Sequence, residues 1–386
     1  MIEQGAIVIE GHIQGLSNTR SLGEKGIPVY VVDKNNCVAR YSRYCRKFFK
    51  CPDYNTHEFI EFLVSLAKRE NIKDWILIPS NDHAVYSLAM YKSELDQYYK
   101  IPDNGHMVID NIYDKSKLLS IAERCRLPIP ETYYISDPQG GLPGNAHYPV
   151  IIKGRNGLTF YKTFGKKVLL ANDETELKKH LTLIKEKADI SKVLVQELIP
   201  FDGKNKTVSF TAFCENGIIR SYWMGEKIRE HPFRFGTATF ARSIYEKKCY
   251  EQSVPLLKEL KYNGICEVEY LKDPRDDMFK LIEINARTWL WTGLAKASGV
   301  DYASILFYNL TGREQNYPST YLTDIKWVNW FTDLPYSFIS IAKKLMTPGE
   351  YFNSLKGPRV DAIWSRDDKL PFFSYFFLLP LFRMTR

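Results

Sequence analysis

The chain has 386 residues, 45% of them hydrophobic and 14% aromatic, which is too long for one compact unit and enough to bury two or three cores. Seven cysteines, an odd number with no Cys-x-x-Cys pair, argue against a disulfide framework or a zinc ribbon and for a reducing compartment. A formal net charge of +8 invites an anionic partner, yet no helix-turn-helix, zinc-finger or RNA-binding signature accompanies it, so nucleic acid is not the expected partner.

The N-terminus places an acid before a short apolar run and lacks the basic segment and cleavage signature of a secretory leader, so a cytoplasmic location is expected. No apolar run reaches the roughly 18 to 20 residues that span a bilayer. Residues 6–10 read as a strand, 11–15 as a glycine turn, 17–25 as a helix capped by Ser17, and 27–32 as a second strand. The glycines do not match Gly-x-Gly-x-x-Gly, so Asp33 is weak support for a nicotinamide cofactor. Loops at the carboxyl ends of parallel strands form ligand crevices, which nominates Gly11, Gly15, Ser80 and Asp82 as substrate contacts. For residues 80–82, after a strand at 75–79, a helix cap is the competing reading. Lys34, Arg40, Arg43, Arg46, Lys47 and Lys50 make a dense basic stretch, suited to an anionic partner or simply solvated.

Residues 111–115 mark a boundary, followed by a helix at 116–126 that Pro128 and Pro130 stop. A strand at 148–153 delivers Lys153 just before a glycine turn, which brings an ammonium and backbone N–H groups against phosphate. Residues 193–200 read as a buried strand whose polar pair, Gln196 and Glu197, needs partners. A strand pair follows around Glu215-Asn216-Gly217, and a helix occupies 251–261. Between them Lys227, Arg229, Arg234 and Arg242 flank Gly236 in a basic loop, either exposed or fitted to phosphates or a carboxylate.

Residues 267–287 place acids inside two apolar strands joined by a turn at 274–277. Side-chain alternation puts Glu267 and Glu269 on one face, and Glu283, Asn285 and Arg287 on one face of the partner. A turn centred near Asp276 sets Glu269 opposite Glu283 and Glu267 opposite Asn285. Opposed carboxylates repel, so a cation is expected between them, and these oxygen donors suit Mg²⁺. A solvated hairpin is the alternative. Past residue 312 the chain becomes aromatic and partly helical. Residues 371–382 suit either a membrane interface or packing on the core, and packing is expected because Pro380 would break an interfacial helix.

Lys153 at a strand end, Gln196-Glu197-Leu198-Ile199-Pro200, Glu269, and Glu283-Ile284-Asn285-Ala286-Arg287 together resemble the ATP-grasp superfamily. Within it, residues 20–29 and 267–270 resemble the carboxylate-amine ligase group that includes D-aspartate ligase and carbamoyl-phosphate-synthase-like proteins. The resemblance covers residues 1–312. It implies mixed α/β and α+β architecture: a Rossmann-like domain at 1–112, ATP-grasp lobes at 113–195 and 196–312, and a mostly helical extension at 313–386.

It further implies ATP between the lobes, with Lys115 and Lys153 on its phosphates and Gln196, Glu197, Leu198 and Ile199 along its adenine. Glu269, Glu283 and Asn285 would hold Mg²⁺, or Mn²⁺ in its place. Arg287 would face the reacting phosphate, making it and Lys153 the catalytic pair. Asp202 is the available acid for the ribose, and the loop after Lys153 is poorer in glycine than such loops usually are. The implied reaction phosphorylates a small carboxylate, such as an amino acid, and joins it to an amine acceptor in cell-wall or surface-polymer assembly. Carbamoyl-phosphate-type chemistry on bicarbonate and a non-catalytic nucleotide-binding protein are the alternatives.

Overall fold

The computed structural model describes residues 4–144, 146–201, 205–232 and 236–384. Their strands form three sheets. In the first, β1 (Ala6–Ile9), β2 (Val29–Asp33), β3 (Cys45–Lys50), β4 (Trp75–Pro79) and β5 (Tyr99–Lys100) run parallel in the order β3-β2-β1-β4-β5. β1 and β2 are buried throughout, as their unbroken apolar character requires in a parallel sheet covered on both faces. Strand order reverses about β1, which opens a crevice beyond the carboxyl ends of β1 and β4.

The first helix spans Ile13–Gly23, so Gly15 and Ser17 lie inside it rather than in a turn or at a cap. The reason is close packing. A Cβ on Gly15 would stand 2.1 Å from the Glu10 carbonyl oxygen, so glycine here lets the first helical turn fold back on the end of β1.

The second sheet contains β6 (Thr132–Tyr133), β7 (Val150–Gly154), β8 (Leu169–Ala171) and β9 (Val193–Glu197) in the antiparallel order β6-β9-β7-β8. The helix Glu174–Lys187 belongs to this unit, and its apolar stripe of Leu177, Leu181 and Ile184 is buried in the core shared with β7 and β9.

The third sheet holds β10 (Thr207–Glu215), β11 (Ile218–His231), β12 (Thr237–Ser243), β13 (Gly264–Lys272), β14 (Phe279–Asn285), β15 (Lys326–Val328) and β16 (Arg359–Asp361). Their order is β14-β13-β10-β11-β12-β15-β16. Lys227 and Arg229 therefore lie on β11 and Arg242 on β12, in paired strands rather than in a basic loop. Arg234 and Asp202 fall outside the described residues.

Residues beyond 312 supply β15 and β16 as well as the helices Trp330–Ala342, Pro348–Ser354 and Leu370–Met384. The last helix continues through Pro380. Burial of Tyr375 and Leu378 in the main core offsets the backbone bond that this proline cannot make. That core also takes in Ile13 and Leu16 of the first helix, Trp289, Trp291 and Trp327, so the C-terminal segment, the large sheet and the first sheet's helix share one interior. Among the described residues no helix is long and apolar enough to cross a membrane.

Candidate active site

The β13–β14 hairpin has the expected register: Glu267 pairs with Asn285 and Glu269 with Glu283. An irregularity after Glu269 brings Tyr270 opposite Leu281 and ends the polar stretch. The facing carboxylates each hold an ammonium. Lys115 Nζ lies 2.8 Å from Glu283 Oε2, and Lys227 Nζ lies 2.8 Å from Glu269 Oε2.

Lys115 reaches the hairpin from the first turn of the helix Lys115–Arg124. Asp114 caps that helix by accepting from the Ser116 N–H, and its carboxylate also binds the Arg155 guanidinium at 2.6 Å. Arg155 follows β7, so this ion pair fixes Lys115 relative to Lys153 on the same strand. Lys153 is buried, and burial together with the neighbouring Lys115 charge pulls its pKa down to about 7.

Burial opposes the charge on Lys115, but Glu283 outweighs it and raises the lysine's pKa. In return Lys115 holds Glu283 far below the usual carboxylate range. Burial also opposes charge on Lys227, and Glu269 again reverses the balance. Glu267 behaves differently: burial, then the like charge of Glu269, push it up to about 8. It accepts from Ser209 Oγ at 2.7 Å and from Asn285 Nδ2 at 2.9 Å. The second bond turns Asn285 so that its Oδ1 accepts from Arg287 Nη2 at 3.2 Å.

Arg287 binds Asp82 through two bonds, Nε–Oδ1 at 2.6 Å and Nη2–Oδ2 at 2.8 Å. Asp82 begins the helix Asp82–Met90, whose cap is the Asn81 side chain, so residues 80–82 both cap a helix and present an acid. The crevice of the first sheet thus meets the end of the hairpin. Asn18 Nδ2 reinforces the contact, donating to Ser80 Oγ at 3.2 Å and to Thr288 Oγ1 at 2.9 Å. Gln14 Nε2 donates to the Ser80 carbonyl at 3.0 Å. Gly11 lies at the crevice floor, where its N–H donates to Asp33 Oδ2 at 2.8 Å and a Cβ would meet Cys37 Sγ at 2.4 Å. Gly15 packs behind, against β1.

Along β9, Gln196 is buried and donates to Thr132 Oγ1 at 2.8 Å. The Glu197 carboxylate accepts from Lys280 Nζ at 2.7 Å, the Glu131 N–H at 2.9 Å and Arg275 Nη2 at 2.5 Å, which ties the small sheet to the hairpin. The Leu198 N–H donates to the Pro149 carbonyl at 3.2 Å, and Ile199 is buried.

Lys227, expected either exposed or fitted to phosphates or a carboxylate, joins the opposed carboxylates. Arg229 and Arg242 do not. Arg229 binds Asp333 and Ser354 of the C-terminal helices, and Arg242 pairs with Glu226 and Asp324. Sequence reasoning missed Asn18, Gln14, Thr288 and the Asp114–Arg155 lock. Each is a partner distant in sequence and belongs to no local pattern.

The oxygens of Glu269, Glu283 and Asn285 form a hard donor set that suits a divalent cation, and the two ammoniums show that this position demands positive charge. Among the described residues no group of three His, Cys, Asp or Glu could hold a metal, so the third donor here would be an amide.

Residues 215–307 match the family described as Carbamoyl-phosphate synthase L chain, ATP binding domain. The D-aspartate ligase of Enterococcus faecium (strain Aus0004) is 26% identical over 245 residues, which cover 59% of this chain. The match spans 58% of that relative's length. The structure of N5-carboxyaminoimidazole synthetase from Staphylococcus aureus is similar with a TM-score of 0.62 at 17% identity, covering 83% of this chain and 80% of that one. An L-amino acid ligase from Bacillus licheniformis gives 0.60 at 14% identity, covering 80% and 75%. With the three sheets and the lysine-lined hairpin, these likenesses establish that the chain has the fold of the ATP-grasp superfamily.

Proposed function

We propose that the protein is an ATP-dependent carboxylate-amine ligase that phosphorylates a small carboxylate and transfers the acyl group to an amine. One observation carries the reading: Lys115 and Lys227 bind the opposed Glu283 and Glu269, Lys153 is buried beside Lys115, and the hairpin that bears the acids meets the first sheet's crevice through Arg287 and Asp82. The D-aspartate ligase match supports an amino acid as the carboxylate.

In this reading, the nucleotide lies between the second and third sheets with Gln196–Ile199 beside its nucleoside. Lys115 and Lys153 bind its phosphates. Glu269, Glu283 and Asn285 would hold Mg²⁺, or Mn²⁺ in its place, supplying Lewis-acid neutralisation of phosphate charge. Glu267 positions Asn285. The carboxylate substrate lies in the crevice by Gln14, Asn18, Ser80 and Asp82. Its oxygen attacks the terminal phosphorus, ADP departs, and the amine then displaces phosphate from the acyl carbon. Lys153 and Arg287 face the charge that builds during both steps.

The test is ADP and phosphate release across a panel of D- and L-amino acids, each paired with amine acceptors that include peptides and nucleotide-linked sugars. Release that needs both co-substrates and falls at least about a hundredfold in Glu283→Gln, with an unchanged circular dichroism spectrum, is the expected result. Undiminished turnover in that variant would overturn the assignment.

A further inference from the structure

Through Leu379, the helix Leu370–Met384 is apolar on both sides, although only one side is buried, Phe376 on the other touching Phe331. Pro371, Tyr375 and Leu378 form the buried face, repeating at three to four residues. Leu370, Phe373, Phe376 and Phe377 lie on the opposite face, each more than half exposed, with Phe377 at 81%. Trp364, 42% exposed, extends this surface by packing edge-on against Phe372 and Phe373. A soluble helix ordinarily turns charged residues outward at such positions, so an aromatic outer face marks contact with an apolar phase.

The charges around this face are predominantly positive. The helix packs on the 3₁₀ turn Val38–Tyr41, in the basic stretch from Lys34 to Lys50, which contains six Lys or Arg and no acid. Arg40 and Arg43 are exposed there, and Arg366 and Lys369 are exposed on the approach to the helix. Asp368, the acid between those two, is buried and bound to Arg20 Nε, Ser42 Oγ and the Arg43 N–H. That leaves Asp367 as the exposed acid of this approach. Two features far apart in sequence, the basic stretch and the aromatic tail, therefore form a single surface. Aromatic side chains flanked by Arg and Lys match the layered polarity of a bilayer interface, with rings at the acyl boundary and cations among anionic headgroups.

We propose that this surface docks the protein on an anionic lipid bilayer, with the helix Leu370–Met384 lying in the interface plane. The inference is independent of the ligase reading, because the surface shares no residue with the hairpin.

The experiment is sedimentation of the full chain with vesicles of phosphatidylcholine and phosphatidylglycerol at 3:1, set against phosphatidylcholine alone. Three proteins are compared: the wild type, Phe373→Ser/Phe376→Ser/Phe377→Ser, and Arg366→Glu/Lys369→Glu. Circular dichroism and light scattering accompany each. The expected result is wild-type binding to the anionic vesicles that falls at least tenfold in each variant and on raising salt from about 0.1 to 0.5 M, where surface charges are screened. Equal pelleting of the wild type and the triple variant would overturn the proposal. So would an absence of wild-type binding, or self-association without vesicle binding that the triple variant abolishes, which would make the face an interface between copies.

Discussion

At Lys153 the structure holds a lysine whose burial and neighbouring Lys115 bring its pKa to about 7. The unfolded value is about 10.4. Between these limits the unfolded chain binds the extra proton, so this residue's contribution to stability rises with pH from about 7 to 10, and its full cost is present below 7. At pH 8 the free protein carries Lys153 mostly neutral, and phosphate oxygens beside it would restore the charge. Nucleotide binding at pH 8 is therefore expected to take up a proton, read by titration calorimetry in buffers of different ionisation enthalpy. The uptake should vanish in Lys153→Met and at pH 6, where the ammonium is already present. Equal uptake in the variant would place the titrating group elsewhere.

Elements whose pattern is local were legible in the sequence. The register of β13 and β14 follows from alternation and a turn at 274–277, and β4 follows from an apolar run ending at Pro79. The first helix was misplaced because Gly15 resembles a turn residue, whereas its smallness serves the backbone of Glu10, a contact that composition does not show. β11 and β12 carried too much charge to read as one strand pair. The explanation lies in Asp333, fully buried on the helix Trp330–Ala342, whose carboxylate needs Arg229 from a hundred residues away. Arg229 also stacks over Phe240, 4.1 Å from the ring centroid. Arg229→Ala should leave that acid buried and unpaired, at a cost of about 3–5 kcal/mol in urea unfolding. Arg229→Met/Asp333→Leu should recover most of the loss, and equal destabilisation of both variants would show that packing rather than charge dominates.

For the whole molecule, the segment after residue 312 is proposed to be integral to the large lobe. It supplies two strands to the third sheet, and Asp368 binds Arg20, Ser42 and Arg43 of the first domain. Removing residues 313–386 would expose the core around Trp289 and Trp291. The truncated chain is expected to aggregate on size-exclusion chromatography, and a monodisperse, cooperatively melting truncation would contradict this. The lysine–carboxylate pairs of the hairpin have a consequence of their own. Glu283 and Glu269 are neutralised by ammoniums, so at the proposed site a divalent cation would meet competitors at its donors, and a polyphosphate would meet ammoniums already engaged. Each ligand frees what the other needs, the phosphates drawing the lysines away and the cation releasing them from their acids. In the proposed site, arrival of metal and nucleotide would thus be a double exchange of partners, in which either ligand alone is expected to bind weakly and the two together with positive cooperativity.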